Sequence, residues 1–84
     1  MTPYQRDLQF MTECYHWLYS KAGTRVTIAA EDGDIEAMDM LYEMDMYIRT
    51  IEHWQLNDRF DRAHMEVNKL REFMKPIWKN EQED

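Results

Sequence analysis

The fold is decided by residues 31–57, which read EDGDIEAMDMLYEMDMYIRTIEHWQLN. Within this stretch, apolar residues recur at alternating spacings of four and three: Ala37, Leu41, Met44, Ile48 and Ile51. This spacing places them on one face of an α-helix. The turn-forming sequence Asp32-Gly33-Asp34 comes just before the pattern and predicts that the helix begins near residue 33. We expect a helix over residues 33–55 that directs one apolar face at a core.

A second helical pattern lies before this stretch. Thr2 and Pro3 form the N-cap and first-turn signal of a helix, and apolar residues then follow at the same spacing. They are Tyr4, Leu8, Met11, Tyr15, Leu18 and Ala22. Gly23 comes directly after this series and is the residue type that commonly ends helices. The pattern predicts a first helix over residues 3–22.

A third helical pattern follows the central stretch. Asn57 or Asp58 can cap it, and its apolar residues again recur at spacings of three and four. They are Phe60, Ala63, Val67, Leu70, Met74 and Ile77. Pro76 has no amide hydrogen and disfavours a helical conformation in the residue before it. We expect this helix over residues 58–75, followed by a polar tail at residues 79–84.

The segment between the first two helices is less regular. Residues 24–31 contain three β-branched side chains that weaken the helical pattern, namely Val26, Thr27 and Ile28. We interpret this segment as a connection that tucks Val26 and Ile28 against the core. A short helical turn over residues 27–30 fits the same residues, so the sequence leaves that alternative open.

Length and composition set the fold class. The chain has 84 residues, of which 44% are hydrophobic, two are Gly and two are Pro. Such a chain is too apolar and too regular to be disordered, and it forms one domain at most. We predict an all-α fold, with a single domain over residues 1–84 built as a small three-helix antiparallel bundle. Because a domain of this size buries only about 60–65% of its unfolded surface, we expect homodimerisation or partner binding to complete its core.

Acidic residues are concentrated in the middle of the chain. Residues 31–57 carry a net charge of −7, which equals the net charge of the whole chain. Seven carboxylates lie between residues 31 and 45, with no basic residue among them. On a helix, four of them fall within an arc of roughly 60°, and we call these the acidic column: Asp32, Glu36, Asp39 and Glu43. Because like charges at this spacing destabilise a helix, the acidic column is predicted either to bind a basic protein surface or to keep the protein soluble.

Apolar residues also exceed what one core needs. The central helix places a second set roughly 120° or more away from its inner face, and we call this set the apolar patch: Ile35, Met38, Tyr42 and Met46. The first helix has a similar second set, formed by Phe10, Cys14 and Trp17. Helices with two apolar faces are either covered on both sides or packed against another chain. We predict that the apolar patch contacts a partner or a second copy of the chain.

Residues that carry chemistry are sparse. The spacing of Glu13 with His16, and of Asp61 with His64, is similar to that in carboxylate-bridged metal sites of helical bundles. Those sites use Glu-x-x-His twice together with two further inward glutamates, so the match is incomplete. Cys14 is the single cysteine and is expected to be a small core residue, and phosphate-binding glycine loops and nucleophile turns are absent from the sequence. We predict no catalytic residue, no metal and no cofactor, with a small metal-binding bundle as the weakest alternative.

The same composition excludes several partners. No apolar run approaches the ~20 residues that cross a bilayer. An acidic surface is also repelled by anionic lipids and by nucleic acid, so we expect no membrane contact and no direct binding to nucleic acid. The first residues lack the basic and apolar regions of a secretion signal, and a cytoplasmic location is expected.

These observations favour a binding protein that is not an enzyme. In general character, a short, acidic, methionine-rich helical chain is similar to the small inhibitors that phages and mobile elements encode against host enzymes. The preferred hypothesis is that the chain occupies a basic surface of a protein partner, such as a nucleic-acid-binding or defence protein. The acidic column then imitates phosphates and the apolar patch anchors the complex. The main alternative is a structural or assembly module that forms a homo-oligomeric helical bundle.

Overall fold

The described residues form four helices. The computed structural model describes the backbone of residues 2–82 and the side chains of residues 2–79. The helices are α1 (Pro3–Leu18), α2 (Lys21–Glu31), α3 (Ile35–Leu56) and α4 (Phe60–Gln82), and no strand occurs among the described residues. The predicted all-α fold class is confirmed. The predicted number of three helices is wrong, because residues 24–31 belong to α2 and do not form a connection.

The first predicted helix is divided at Tyr19 and Ser20. Ser20 has an extended conformation, and its Oγ accepts a hydrogen bond from the Gly23 amide at 3.3 Å. Serine is a favourable N-cap in this position, so α2 begins directly after α1 ends. The prediction that Gly23 ends a helix is wrong, because Gly23 lies in the first turn of α2. A Cβ atom at Gly23 would come within 2.1 Å of the Trp17 carbonyl oxygen, so glycine permits the close approach of the two helices.

Gly33 ends α2. Its φ is 97°, and its amide donates to the Ala30 carbonyl while the Asp34 amide donates to the Ala29 carbonyl. This Schellman arrangement requires a left-handed residue, a conformation that glycine adopts without a steric penalty. Asp34 then begins α3, because its carboxylate accepts hydrogen bonds from two amides of the first turn. The predicted turn and cap at residues 32–34 are confirmed.

The connection between α3 and α4 uses the same arrangement without glycine. Asp58 has a φ of 57°, and the Arg59 amide donates to the Trp54 carbonyl at 2.8 Å. Asn57 is a predicted N-cap of α4, but it caps the end of α3, where its side-chain amide donates to the His53 carbonyl at 2.7 Å. The turn therefore places an aspartate in a conformation that favours glycine.

Helix α4 continues through Pro76, so the helix end predicted before this residue is wrong. Beyond the proline, Ile77 and Trp78 pack against the core, and the ring centroids of Trp78 and Phe10 are 5.6 Å apart. Partial burial of these two large side chains opposes the cost of about 3 kcal/mol for a proline inside a helix. The predicted tail at residues 79–84 is helical where the structure describes it, and its last two residues lie outside the described part of the chain.

The core lies where α1, α3 and α4 meet. Its buried side chains are Phe10, Met11, Cys14, Trp17, Met44, Ile48, Ile51, Ala63, Val67, Leu70 and Met74. The inner face predicted for α3 and most of the face predicted for α4 are confirmed. No helix in the described range combines the length and the apolar character that a bilayer-spanning segment requires.

The buried face of α1 differs from the predicted one. Three of the predicted residues, Tyr4, Leu8 and Tyr15, are each 40–41% exposed. The second apolar set of this helix is buried in their place: Phe10, Cys14 and Trp17. A tyrosine at a boundary keeps its hydroxyl group next to water or a polar partner, and Tyr15 does so by donating to Glu52 at 3.1 Å. The second apolar set of α1 is thus covered within the chain.

Candidate binding surface between the third and fourth helices

Helix α3 is buried on one side and open on the other. Its cap at Asp34 and its inner apolar residues fix the helix against α4. The apolar patch lies on the open side, with exposed fractions of 72% for Ile35, 50% for Met38, 67% for Tyr42 and 48% for Met46. Within the described residues, the chain leaves this patch uncovered.

Three members of the acidic column lie on α3: Glu36, Asp39 and Glu43. The fourth, Asp32, caps the end of α2, so the prediction of four residues on one helix is wrong at its first position. The reason is the turn at Gly33, which separates the two helices. All three α3 carboxylates are exposed, and none forms an ion pair with a side chain of residues 2–79.

Two carboxylates on α3 take part in interactions that stabilise the helix. Asp45 forms an ion pair with Arg49 one turn along the helix, at 2.8 Å between Oδ2 and Nε. Glu36 lies in the first turn of α3, where negative charge interacts favourably with the helix dipole. Among the described side chains, Asp39 and Glu43 have no ion-pair partner, and neither lies in the first turn of α3. These two carboxylates repel each other and destabilise α3, so the stability of the helix does not explain why they are present.

An open groove runs between α3 and α4. It consists of two adjoining concavities that share Asp39 and Glu43, and we call them together the α3–α4 groove. The first has a volume of about 540 Å³, and its remaining lining residues are Tyr42, Met46, Tyr47, Thr50 and Glu66. The second has a volume of about 390 Å³, and its remaining lining residues are Glu36, Met40, Phe73, Pro76 and Ile77. Carboxylates thus follow the α3 edge of a groove that is otherwise largely apolar.

Contacts between the two helices shape this groove. The rings of Tyr47 on α3 and Phe73 on α4 contact each other, with centroids 5.7 Å apart and planes inclined at 45°, and each ring lines one of the two concavities. Lys69 on α4 binds Glu66 at 3.0 Å between Nζ and Oε1, so this cation is already paired within its own helix. The groove therefore keeps its negative charge along α3.

The α3–α4 groove brings together five of the eight predicted partner-binding residues: Glu36, Asp39, Glu43, Tyr42 and Met46. Ile35 and Met38 lie outside it on the open side of α3, and Asp32 lies in the turn before the helix. The residues that α4 contributes, among them Phe73 and Glu66, are absent from the predicted site. The antiparallel pairing of α3 with α4 is the signal that points to them, since it sets these positions opposite α3.

The candidate metal ligands do not converge. His64 Nδ1 lies 3.1 Å from Oδ1 of Asp7, whose residue is 2% exposed. The histidine therefore pairs with a buried carboxylate that is not one of the candidate ligands, Glu13, His16 and Asp61. Among the described side chains, no three His, Cys, Asp or Glu residues are grouped so that they hold a metal ion.

The single cysteine is a buried, unreactive group. Burial raises the pKa of the Cys14 thiol to about 12, and the adjacent Glu13 carboxylate acts in the same direction. A thiol with such a pKa is neutral at physiological pH, whereas the nucleophile in cysteine chemistry is the thiolate. Burial also raises the pKa of Tyr15, and its hydrogen bond to Glu52 adds to that effect. Both shifts favour the neutral form of the group.

Comparison with models of protein families, with curated proteins and with solved structures finds no match for this chain. The α3–α4 groove is the candidate site that the structure itself offers, with an apolar lining and three carboxylates along its edge.

Proposed function

We propose that this protein is a non-catalytic binding protein that occupies a basic surface of a protein partner. The observation that carries the proposal is the composition of one open face of α3, where three carboxylates that form no ion pair within residues 2–79 adjoin exposed apolar side chains. Charge complementarity accelerates and orients the encounter, and burial of the apolar side chains sets the lifetime of the complex. A nucleic-acid-binding or defence protein is a suitable partner, because a surface that binds phosphates is basic and these carboxylates present regularly spaced negative charge.

The repulsion between carboxylates within α3 supports this proposal. Asp39 lies three residues after Glu36 and four residues before Glu43, so it faces a like charge on each side. Each such pair destabilises a helix by about 0.2–0.5 kcal/mol. Solubility requires only net charge and does not require the charges to be adjacent. The cations of a basic partner would offset this repulsion in the complex, so partner binding accounts for the adjacent carboxylates.

A symmetric dimer with antiparallel α3 helices fits this face less well than a basic partner does. In a symmetric dimer with antiparallel α3 helices packed through the apolar patch, the three carboxylates of one copy lie beside those of the other. Two sets of like charges along one seam oppose association. For this reason the basic partner is preferred over the homo-oligomeric bundle.

Site-specific photo-crosslinking in a host lysate tests the proposal. A photo-reactive amino acid is introduced in place of Met46, and crosslinked proteins are identified by mass spectrometry at low and high salt. The test variant carries Glu36→Gln, Asp39→Asn and Glu43→Gln. The matched control carries the same number of neutralised carboxylates away from the groove: Glu13→Gln, Asp61→Asn and Glu72→Gln.

The expected result is a basic protein that crosslinks to the wild type and to the matched control at low salt, and not to the test variant. The test variant is expected to remain folded with little net change in stability, because removal of both like-charge pairs gains about 0.4–1 kcal/mol while loss of the Glu36 interaction with the helix dipole costs about 0.3–1 kcal/mol. Equal crosslinking of all three proteins would sink the role of the carboxylates. Crosslinks between copies of the chain alone would support the assembly module.

A further inference from the structure

We infer that the segment of the partner bound in the α3–α4 groove is a basic amphipathic α-helix, about 14 residues long, lying along α3. Its cations lie over Glu36, Asp39 and Glu43, and its apolar side covers Tyr42 and Met46. This inference rests on the proposed function and deepens it, because it names the conformation and the chemistry of the bound segment.

The length of the groove sets the length of the bound segment. The lining residues on α3 run from Glu36 to Thr50. An α-helix rises about 1.5 Å per residue, so the groove is about 21 Å long. A bound helix of about 14 residues matches that length.

The spacing of the carboxylates distinguishes a helix from an extended strand. Along α3, the rise is about 4.5 Å from Glu36 to Asp39 and about 6 Å from Asp39 to Glu43. Cations three and four residues apart on a bound helix repeat both steps. On an extended strand, residues of one face recur about every 6.7 Å, so three cations span about 13 Å against the 10.5 Å or so of the carboxylates. A helix therefore matches the spacing of the three carboxylates more closely than a strand does.

The lining of the groove explains why the bound helix is also apolar. Tyr42 is 67% exposed and Met46 is 48% exposed, and both line the larger concavity. Apolar side chains that cover them contribute about 25 cal/mol for each Å² removed from water. The unbranched thioether of Met46 adapts to the shape of the covering side chains. A segment with cations alone leaves this surface wet, so both the charge pattern and the apolar face belong to the bound helix.

Three synthetic peptides of equal length and equal lysine and leucine content test the inference. The first places its lysines and leucines at helical periodicity, so that they form one charged edge and one apolar face. The second contains the same residues in scrambled order. The third keeps the lysines and leucines of the first in the same order, but two of its other, central residues are replaced by prolines, which prevent a helix. Affinity is measured by calorimetry at low and high salt, and the binding site is located from NMR chemical-shift changes in the labelled protein.

The expected result is that the first peptide binds at least about tenfold more tightly than the other two, with shift changes confined to the α3–α4 groove. Neutralising Glu36, Asp39 and Glu43 together removes this preference, whereas the matched control with distant neutralised carboxylates keeps it. Equal affinity for all three peptides, or shift changes on α1, overturns the inference. If no peptide binds while crosslinking at Met46 captures a basic protein, the helical segment is refuted and the proposed function stands. If both experiments fail, the proposed function fails as well.

Discussion

Replacing Gly23 by alanine is expected to destabilise the protein, although alanine is the better helix former. On an unconstrained helix this change contributes about 1 kcal/mol in favour of the helical state. In this fold, the added Cβ would lie 2.1 Å from the Trp17 carbonyl oxygen and 2.5 Å from the Leu18 carbonyl oxygen. Both obstacles are backbone atoms, so a side-chain rotation does not relieve the contact.

The magnitude follows from what must move. A separation below 3.0 Å is not tolerated by real Cβ atoms, so the first turn of α2 has to shift away from the end of α1. The shift breaks the cap at Ser20, which costs about 1 kcal/mol, and it disturbs the packing of Trp17 and Val26, which costs about 1–3 kcal/mol. After the gain in helix propensity is subtracted, we expect the free energy of unfolding to fall by about 1–3 kcal/mol.

Urea unfolding followed by circular dichroism and tryptophan fluorescence measures this change. Thermal unfolding is a second measurement of the same change, because in a domain of this size a loss of 1 kcal/mol lowers Tm by about 4–8 °C. The matched control is Thr24→Ala at the next position, where the side chain is exposed and the stability is expected to rise by a few tenths of a kcal/mol. A Gly23→Ala variant as stable as the wild type would refute the reasoning. It would favour one continuous helix across Ser20, as the apolar periodicity from Leu18 to Ala22 predicts.

Three other perturbations have defined outcomes. Asp58→Gly is expected to raise the free energy of unfolding by about 0.5–1 kcal/mol in urea titration, because φ is 57° there and glycine adopts it without a penalty. His64→Ala leaves the buried Asp7 carboxylate without this partner and is expected to cost about 1–3 kcal/mol; a double-mutant cycle with Asp7→Ala shows no coupling if the pair is unimportant. Between pH 9 and pH 12, the Cys14 thiol keeps its proton in the folded state and loses it in the unfolded state, so stability falls as pH rises. The expected slope is up to about 1.4 kcal/mol per pH unit, and an unchanged slope in Cys14→Ala would contradict it.

Periodicity predicted α3 and misjudged α1 for physical reasons. In α3 the inner apolar set, which begins at Ala37 three residues after the capping Asp34, contains no hydroxyl group. The open side mixes the apolar patch with carboxylates, so burial of the inner set leaves the charged side in water. In α1, two apolar sets compete, and the set with more members contains tyrosines whose hydroxyl groups favour a boundary position. Only the packing of α1 against α4 decides in favour of Phe10, Cys14 and Trp17.

Tertiary contacts also overrode two local signals. The β-branched residues of the segment at 24–31 disfavour a helix weakly, but Val26 packs against the core as part of α2. Pro76 disfavours a helix strongly, yet burial of Ile77 and Trp78 continues α4 beyond it. A propensity of a fraction of a kcal/mol per residue is easily exceeded by the burial of one large side chain.

Only the α3 side of the candidate site was predictable from the sequence. The carboxylates and the apolar patch share α3, so the angle between successive residues places them relative to one another. The groove itself belongs to two helices, and its α4 side depends on the register that sets Phe73 against Tyr47 and Glu66 near Thr50. That register arises from packing in the core, which no single helical pattern contains.

The order in which helices pair bears on how quickly the protein forms. Helix α1 packs on α2, α2 on α3 and α3 on α4, and each of these pairs is joined by a short turn. Such contacts close small loops, which lose little chain entropy and form within microseconds to milliseconds in helical domains. The pairing of α1 with α4 differs, because it brings Phe10 against Trp78 and closes a loop of nearly the whole chain. We therefore expect the docking of α4 onto α1 to limit the rate at which the core is completed.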